Sequence, residues 1–348
     1  MTDRFPPTTP PETSEPASTA AATMPSAPAT TGLHWIFAGP DGIRAGWRLL
    51  MFVAIAAVFA MILAMPLFLF SWRPASGRSG PVSTILGDAI PFLALLLAAR
   101  VMGAIEGRTL AHYGLPVAGA FGKRFWQGAV WGFVALTALL LATFLARGFS
   151  FGTLAVTGPN AARYAALWAL AFLTVGFLEE FMMRGYALYT LTTGMGFWPS
   201  AVLLSALFGT LHLYNAHENW TGALAAGVIG LFFCFTVRRT GDLWFAVGLH
   251  TAWDYAQSFI YSVPDSGVVI TGHLLDSSLH GPRWLTGGAV GPEGSALVFV
   301  IIAAMFVVFD RLYRDVKYPL ASKRTANRQP SAISIQPTAA ADSPPSGS

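Results

Sequence analysis

Glu179, Glu180 and Arg184 fall almost back to back in the stretch FLEEFMMRGYALY, inside an otherwise apolar run. His212 lies in LFGTLHLY, and His250 and Asp254 lie in VGLHTAWDY, both equally apolar settings. Carboxylates beside imidazoles can take a proton from water and return it to a leaving group, the work of general acid–base catalysis. The same groups suit two other chemistries. Glu179, His212 and His250 could ligate zinc and leave a fourth position for water, although no H-E-x-x-H run is present. Buried Asp, Glu and His also form proton relays in transporters. Taken singly, each residue has a plainer reading: Glu180–Arg184 as a stabilising pair, Asp254 as a support for His250, His212 as a satisfied core histidine. Taken together they are too many costly groups for structure alone, because ionisable side chains within membrane helices are rare and usually functional.

The elements that must position these groups are membrane helices. Of 348 residues, 54% are hydrophobic and 11% charged, against about 25% charged in a soluble domain. The chain is therefore expected to be an all-α polytopic membrane protein, about eight transmembrane helices with a buried polar site among the fourth, fifth and seventh. Spans are predicted near 46–71, 84–103, 125–146, 163–192, 197–215, 220–239, 243–263 and 294–313, each of the length needed to cross ~30 Å of hydrocarbon. The stretch HWIFAGPDGIRAGWR before them reads as an interfacial lead-in, with Trp35, Phe37 and Trp47 at headgroup level. Positions 1–33 and 317–348, rich in Pro, Ala, Ser and Thr, are expected to be disordered tails flanking a helical domain over 34–316. The N-terminal tail lacks the basic-then-apolar pattern of a cleaved signal.

Charge sets the direction. With the N-terminus cytoplasmic, fifteen Lys and Arg fall on the cytoplasmic side and five on the other, which places both termini inside. The net charge of +4 then reflects membrane orientation and not a nucleic-acid surface. The composition suits a bacterial inner-membrane protein. The single cysteine, Cys234, excludes an intrachain disulfide. The longest outer connection, 264–293, is rich in Gly and Ser and reads as a solvated loop; its His273 and His280 are a weaker candidate for a metal pair.

Helical geometry orders the polar groups. Glu180 and Arg184 are spaced i,i+4 and share a face, as do His250 and Asp254, and Phe208 and His212. Glu179 points about 100° away from Glu180, so Arg184 can neutralise Glu180 while Glu179 faces elsewhere. Glu179 and His212 stand almost equally far along the chain from position 195, where the fourth and fifth spans turn. At ~1.5 Å per residue both sit roughly 25 Å from the turn. They can therefore meet in a cavity between the helices, with His250 and Asp254 somewhat shallower.

In these three segments the chain resembles the CAAX-protease and bacteriocin-processing (CPBP, or Abi) family of intramembrane peptidases. Its E-E-x-x-x-R motif is matched by Glu179, Glu180 and Arg184, its F-x-x-x-H motif by Phe208 and His212, and its H-x-x-x-N/D motif by His250 and Asp254. The resemblance runs from Arg163 to Val263. It implies a metal-independent endopeptidase without cofactor, acting on a peptide or protein, with membrane-anchored and prenylated substrates among the candidates. It also implies catalytic roles for Glu179, His212, His250 and Asp254: the first two activating water, His250 with Asp254 or by itself stabilising the oxyanion. Glu180, Arg184 and Phe208 would support them.

Overall fold

A computed structural model describes residues 34–39, 42–69 and 80–319. The tails expected to be disordered lie outside these residues, apart from 317–319, as do Arg73 and Arg78. Residues 34–43 belong to a unit of their own, with a one-turn helix at His34–Phe37 and a ribbon pairing Ala38–Gly39 with Gly42–Ile43. The second unit carries nine helices of ten residues or more among the described residues: α1 Ala45–Leu69, α2 Pro81–Glu106, α3 Lys123–Leu145, α4 Gly158–Arg184, α5 Tyr186–Met195, α6 Phe197–His212, α7 Trp220–Thr240, α8 Trp244–Asp254 and α9 Ala296–Leu312. Five stretches, α1, α2, α3, the run α4–α5 and α7, are long and apolar enough to cross a membrane, and α6 is a shorter apolar helix. The chain is an all-α integral membrane protein.

Helix ends follow local chemistry. The Asn219 side chain caps α7 by accepting from the amides of Thr221 (2.8 Å) and Gly222 (3.2 Å), which satisfies two donors that the first turn leaves open. Gly241, at φ 86°, ends α7 in the left-handed conformation that favours glycine. Two predicted spans are not continuous. The fourth breaks at Gly185, where a Cβ would fall on the Phe181 carbonyl and ring, and the chain resumes as α5. The seventh ends its α-helical part at Asp254 and continues as a π-helical turn over Tyr255–Ile260, a geometry frequent at functional sites.

The site-bearing helix α8 is seated by glycines. On α3, Gly128 and Gly132 bring their backbone onto α8: a Cβ at either would fall on a carbonyl, that of Phe245 or of Leu249. Gly248 on α8 answers with the same closeness to the Phe125 carbonyl. This is small-xxx-small packing, in which missing side chains let two backbones approach. Gly132→Val is expected to force the helices apart and cost ~1–3 kcal/mol or more, the scale of overpacking. A thermal-unfolding midpoint unchanged in detergent would contradict the contact.

The bundle has two unlike ends. At one, Glu106 is the hub of a polar cluster, accepting from Tyr186 Oη (2.5 Å), Tyr113 Oη (3.1 Å), Arg48 and Arg108 (3.3 Å each). Arg124 pairs with Asp242 and Arg239 with Asp310 at the same end. At the other end lies the connection between the π-turn and α9. It is not the solvated loop its Gly and Ser content suggests. Ile270, Leu285 and Val290 are buried, Ser278–Leu279 pairs with Phe149–Ser150, and Trp168 Nε1 donates to the Thr271 carbonyl at 2.9 Å. Apolar residues interspersed among the small polar ones give this segment a core. His273 and His280 turn to separate partners, the Leu275 carbonyl and Ser150 Oγ.

Candidate active site

Neighbouring positions on α4 send Glu179 and Glu180 to different environments. The Glu180 side chain is 0% exposed and that of Glu179 28%. Glu180 Oε1 accepts from Arg184 Nη1 at 3.3 Å and meets His250 Nδ1 at 2.9 Å. The Arg184 guanidinium is also fully buried. It lies over the Phe208 ring, 4.4 Å from its centroid, and beside Phe233 at 5.2 Å. Cation–π contact is stronger when desolvated, so both rings help carry a charge that has left water. Gly230 makes room for it, since a Cβ there would lie 2.6 Å from Arg184 Nη2.

His250 stands between three carboxylates. Beyond its Nδ1 contact to Glu180, its Nε2 lies 3.6 Å from Glu179 Oε2 and 3.5 Å from Asp254 Oδ2. Both ring nitrogens thus face acceptors, and a ring protonated on both makes every one of these contacts attractive. Phe233 stacks on the imidazole at 5.2 Å between centroids and fixes its plane. His212 Nδ1 lies 2.9 Å from the Phe208 carbonyl, which can only accept. In the neutral ring the proton therefore sits on Nδ1, which leaves Nε2 as the acceptor.

Glu179, His212, His250 and Asp254 all line one cavity of about 300 Å³. Glu180 and Arg184 do not line it. Phe208 serves both sides: its ring carries Arg184, and its carbonyl sets the His212 tautomer. Among the described residues no group of three His, Cys, Asp or Glu side chains is arranged to hold a metal ion.

Three further carboxylates line the cavity: Asp88 on α2, and Asp265 and Glu293 from the connection before α9. Glu293 accepts from Trp253 Nε1 (3.0 Å) and from the Ser266 amide and hydroxyl (3.1 and 3.0 Å). Asp265 accepts from Ser258 Oγ at 2.9 Å. Burial pushes the Asp265 carboxyl well above the usual carboxylate range, and the charges of Asp254 and Glu293 add to the shift. Sequence reasoning passed over all three. Asp88 had a signal, as an ionisable residue one turn inside a predicted span. Asp265 and Glu293 had none, because they belong to a segment without helical period.

Fold and site together define a membrane-embedded protein with a carboxylate–histidine centre at the wall of a cavity within the helical unit. Over residues 160–256 the chain matches the family described as Type II CAAX prenyl endopeptidase Rce1-like, and it carries a domain of that protease family. The match covers Glu179, Glu180, Arg184, Phe208, His212, His250 and Asp254. No curated protein and no solved structure matches the chain.

Proposed function

We propose that this protein is an intramembrane endopeptidase that hydrolyses a peptide bond with a water activated by Glu179 and His212, without a metal. One observation carries the reading. Glu179, His212, His250 and Asp254 face a single cavity, while Glu180 and Arg184 are withdrawn from it and neutralise each other.

In the reaction, the Glu179 carboxylate takes a proton from water while His212 Nε2 accepts the water's second hydrogen bond. The hydroxyl oxygen adds to the scissile carbonyl carbon. The resulting oxyanion is met by His250 Nε2–H, whose positive charge Asp254 and Glu180 sustain. Such preorganised donors act most strongly where water is excluded. Collapse of the intermediate breaks the C–N bond, and Glu179 returns its proton to the departing amine. Glu180 anchors the imidazole from behind, and Arg184 pairs with Glu180 and holds it in place.

We further infer that eight segments cross the bilayer, α4 with α5 and α8 with its π-turn each counting as one, and that both termini are cytoplasmic. The experiment that tests the function is comparative mass spectrometry of peptides from host membranes carrying wild type or Glu179→Gln at equal abundance. New C-termini present only with wild type are the expected result. Identical peptide ends at good coverage would overturn the reading and turn attention to ion flux.

A further inference from the structure

Resting on the peptidase reading above, we propose that the site is reached from the end of the bundle opposite the arginine-rich one, the extracytoplasmic end, and that it selects a peptide bearing a positively charged nitrogen. The first half follows from where the cavity lies. Its lining reaches Asn215 in the α6–α7 turn and Asp265, Ser266 and Val268 in the connection before α9, all at the same end of the bundle. Toward the other end the fully buried Glu180 and Arg184 lie behind the catalytic groups, with Phe208 and Phe233 packed on the guanidinium. Among the described residues of the helical unit, eleven Lys and Arg fall at the end where Glu106 and Asp242 lie, Arg44, Arg100 and Lys317 among them. Three, Arg147, Arg163 and Arg283, fall at the cavity end. Positive residues stay in the cytoplasm, so the cavity end faces out.

The second half follows from what neutralises the lining. Asp88, Glu179, Asp254, Asp265 and Glu293 line the cavity together with two histidines, and no Lys or Arg joins them. The hydrogen bonds that hold Asp265 and Glu293 come from hydroxyls, an indole and an amide, all neutral. These donors fix the direction of the carboxylates without cancelling their charge. Asp254 is only 6% exposed on the same wall, its carboxylate faced by a single imidazole nitrogen at 3.5 Å. Trp168, Phe172, Ile229 and Leu249 supply apolar walls, and a cleft of one charge sign with low-dielectric walls concentrates ions of the other sign. An ammonium or guanidinium entering the cavity meets these carboxylates and supplies the countercharge that the lining lacks. The apolar walls receive the residues next to it.

The test reads accessibility and potential without any need for turnover. In a Cys234→Ser background, which removes the single native thiol, Val268→Cys places a reporter at a cavity-lining side chain that is 39% exposed and whose paired hydrogen bonds are backbone ones. Asn215→Cys is a second reporter on the facing turn. Membrane-impermeant cationic and anionic methanethiosulfonates are applied to right-side-out and inverted vesicles, with rates referred to a free thiol in solution. The expected result is modification from the outside alone, with the cationic reagent favoured ~10-fold or more over its solution ratio. The Asp265→Asn/Glu293→Gln pair should bring that ratio back toward the solution value. Labelling from the cytoplasmic face alone, or none until the protein is unfolded in detergent, overturns the access route. A solution-like ratio at both reporters overturns the charge selection. Either failure leaves the peptidase reading to the Glu179→Gln comparison, which decides it separately.

Discussion

Glu179→Gln is expected to lower turnover of a membrane-anchored peptide by about 10²-fold or more, the scale of a general base's contribution, while leaving the fold intact. The two halves of that expectation have different origins. Glu179 lines the cavity, and its side chain is 28% exposed, so an amide of the same shape can be hydrated there at little cost. Yet an amide cannot take a proton from water. The measurement is kcat in proteoliposomes alongside the thermal midpoint of the same preparation. Loss of turnover with an unchanged midpoint is the expected pair of results; full activity in a folded variant would remove Glu179 from the chemistry. Glu180→Gln should differ in kind. Its carboxylate is fully buried against Arg184 and His250, so stability and turnover should fall together.

The candidate site was legible in the sequence because of its surroundings. Two adjacent glutamates in an apolar helix have no inexpensive explanation, and i,i+4 spacing fixes which of them Arg184 can reach. Counting residues from the α5–α6 turn put Glu179 and His212 at one level, and both line one cavity. What could not be read was contact between helices distant in sequence. Glu180 and His250 are 70 positions apart, and their 2.9 Å contact depends on how α8 lies on α4. That seating in turn depends on Gly128, Gly132 and Gly248, glycines that carry no periodic signal. Phe208 shows the same limit. Spacing links it to His212, yet its ring also supports Arg184 of another helix. The connection before α9 was misread for a compositional reason. Glycine and serine suggest solvation, but Ile270, Leu285 and Val290 fold inward, and Asp265 and Glu293 reach the cavity wall.

Arg184→Met should be the most destabilising single change at the site, at about 3–5 kcal/mol, because removing one partner of a buried ion pair strands the other charge. The group left behind is Glu180, whose Oε1 keeps only the His250 Nδ1 contact and whose Oε2 already lacks a hydrogen-bond partner. Methionine can still pack on Phe208 and Phe233, so the loss measures charge and not volume. Arg184→Lys should fall between, since an ammonium lacks the planar guanidinium face that meets both rings. The informative variant is the double one, Glu180→Gln with Arg184→Met. It removes both charges, and replacing a buried pair is often neutral where breaking it is not. It should regain most of the stability lost in Arg184→Met, while the oxygen of the introduced amide still accepts from His250 Nδ1. Turnover should stay low even so, because the imidazole has lost the carboxylate that sustains its charge as the oxyanion forms. Recovery of stability and turnover together would reduce the Glu180–Arg184 pair to scaffolding. Recovery of stability alone would make Glu180 the group through which this pair reaches the reaction.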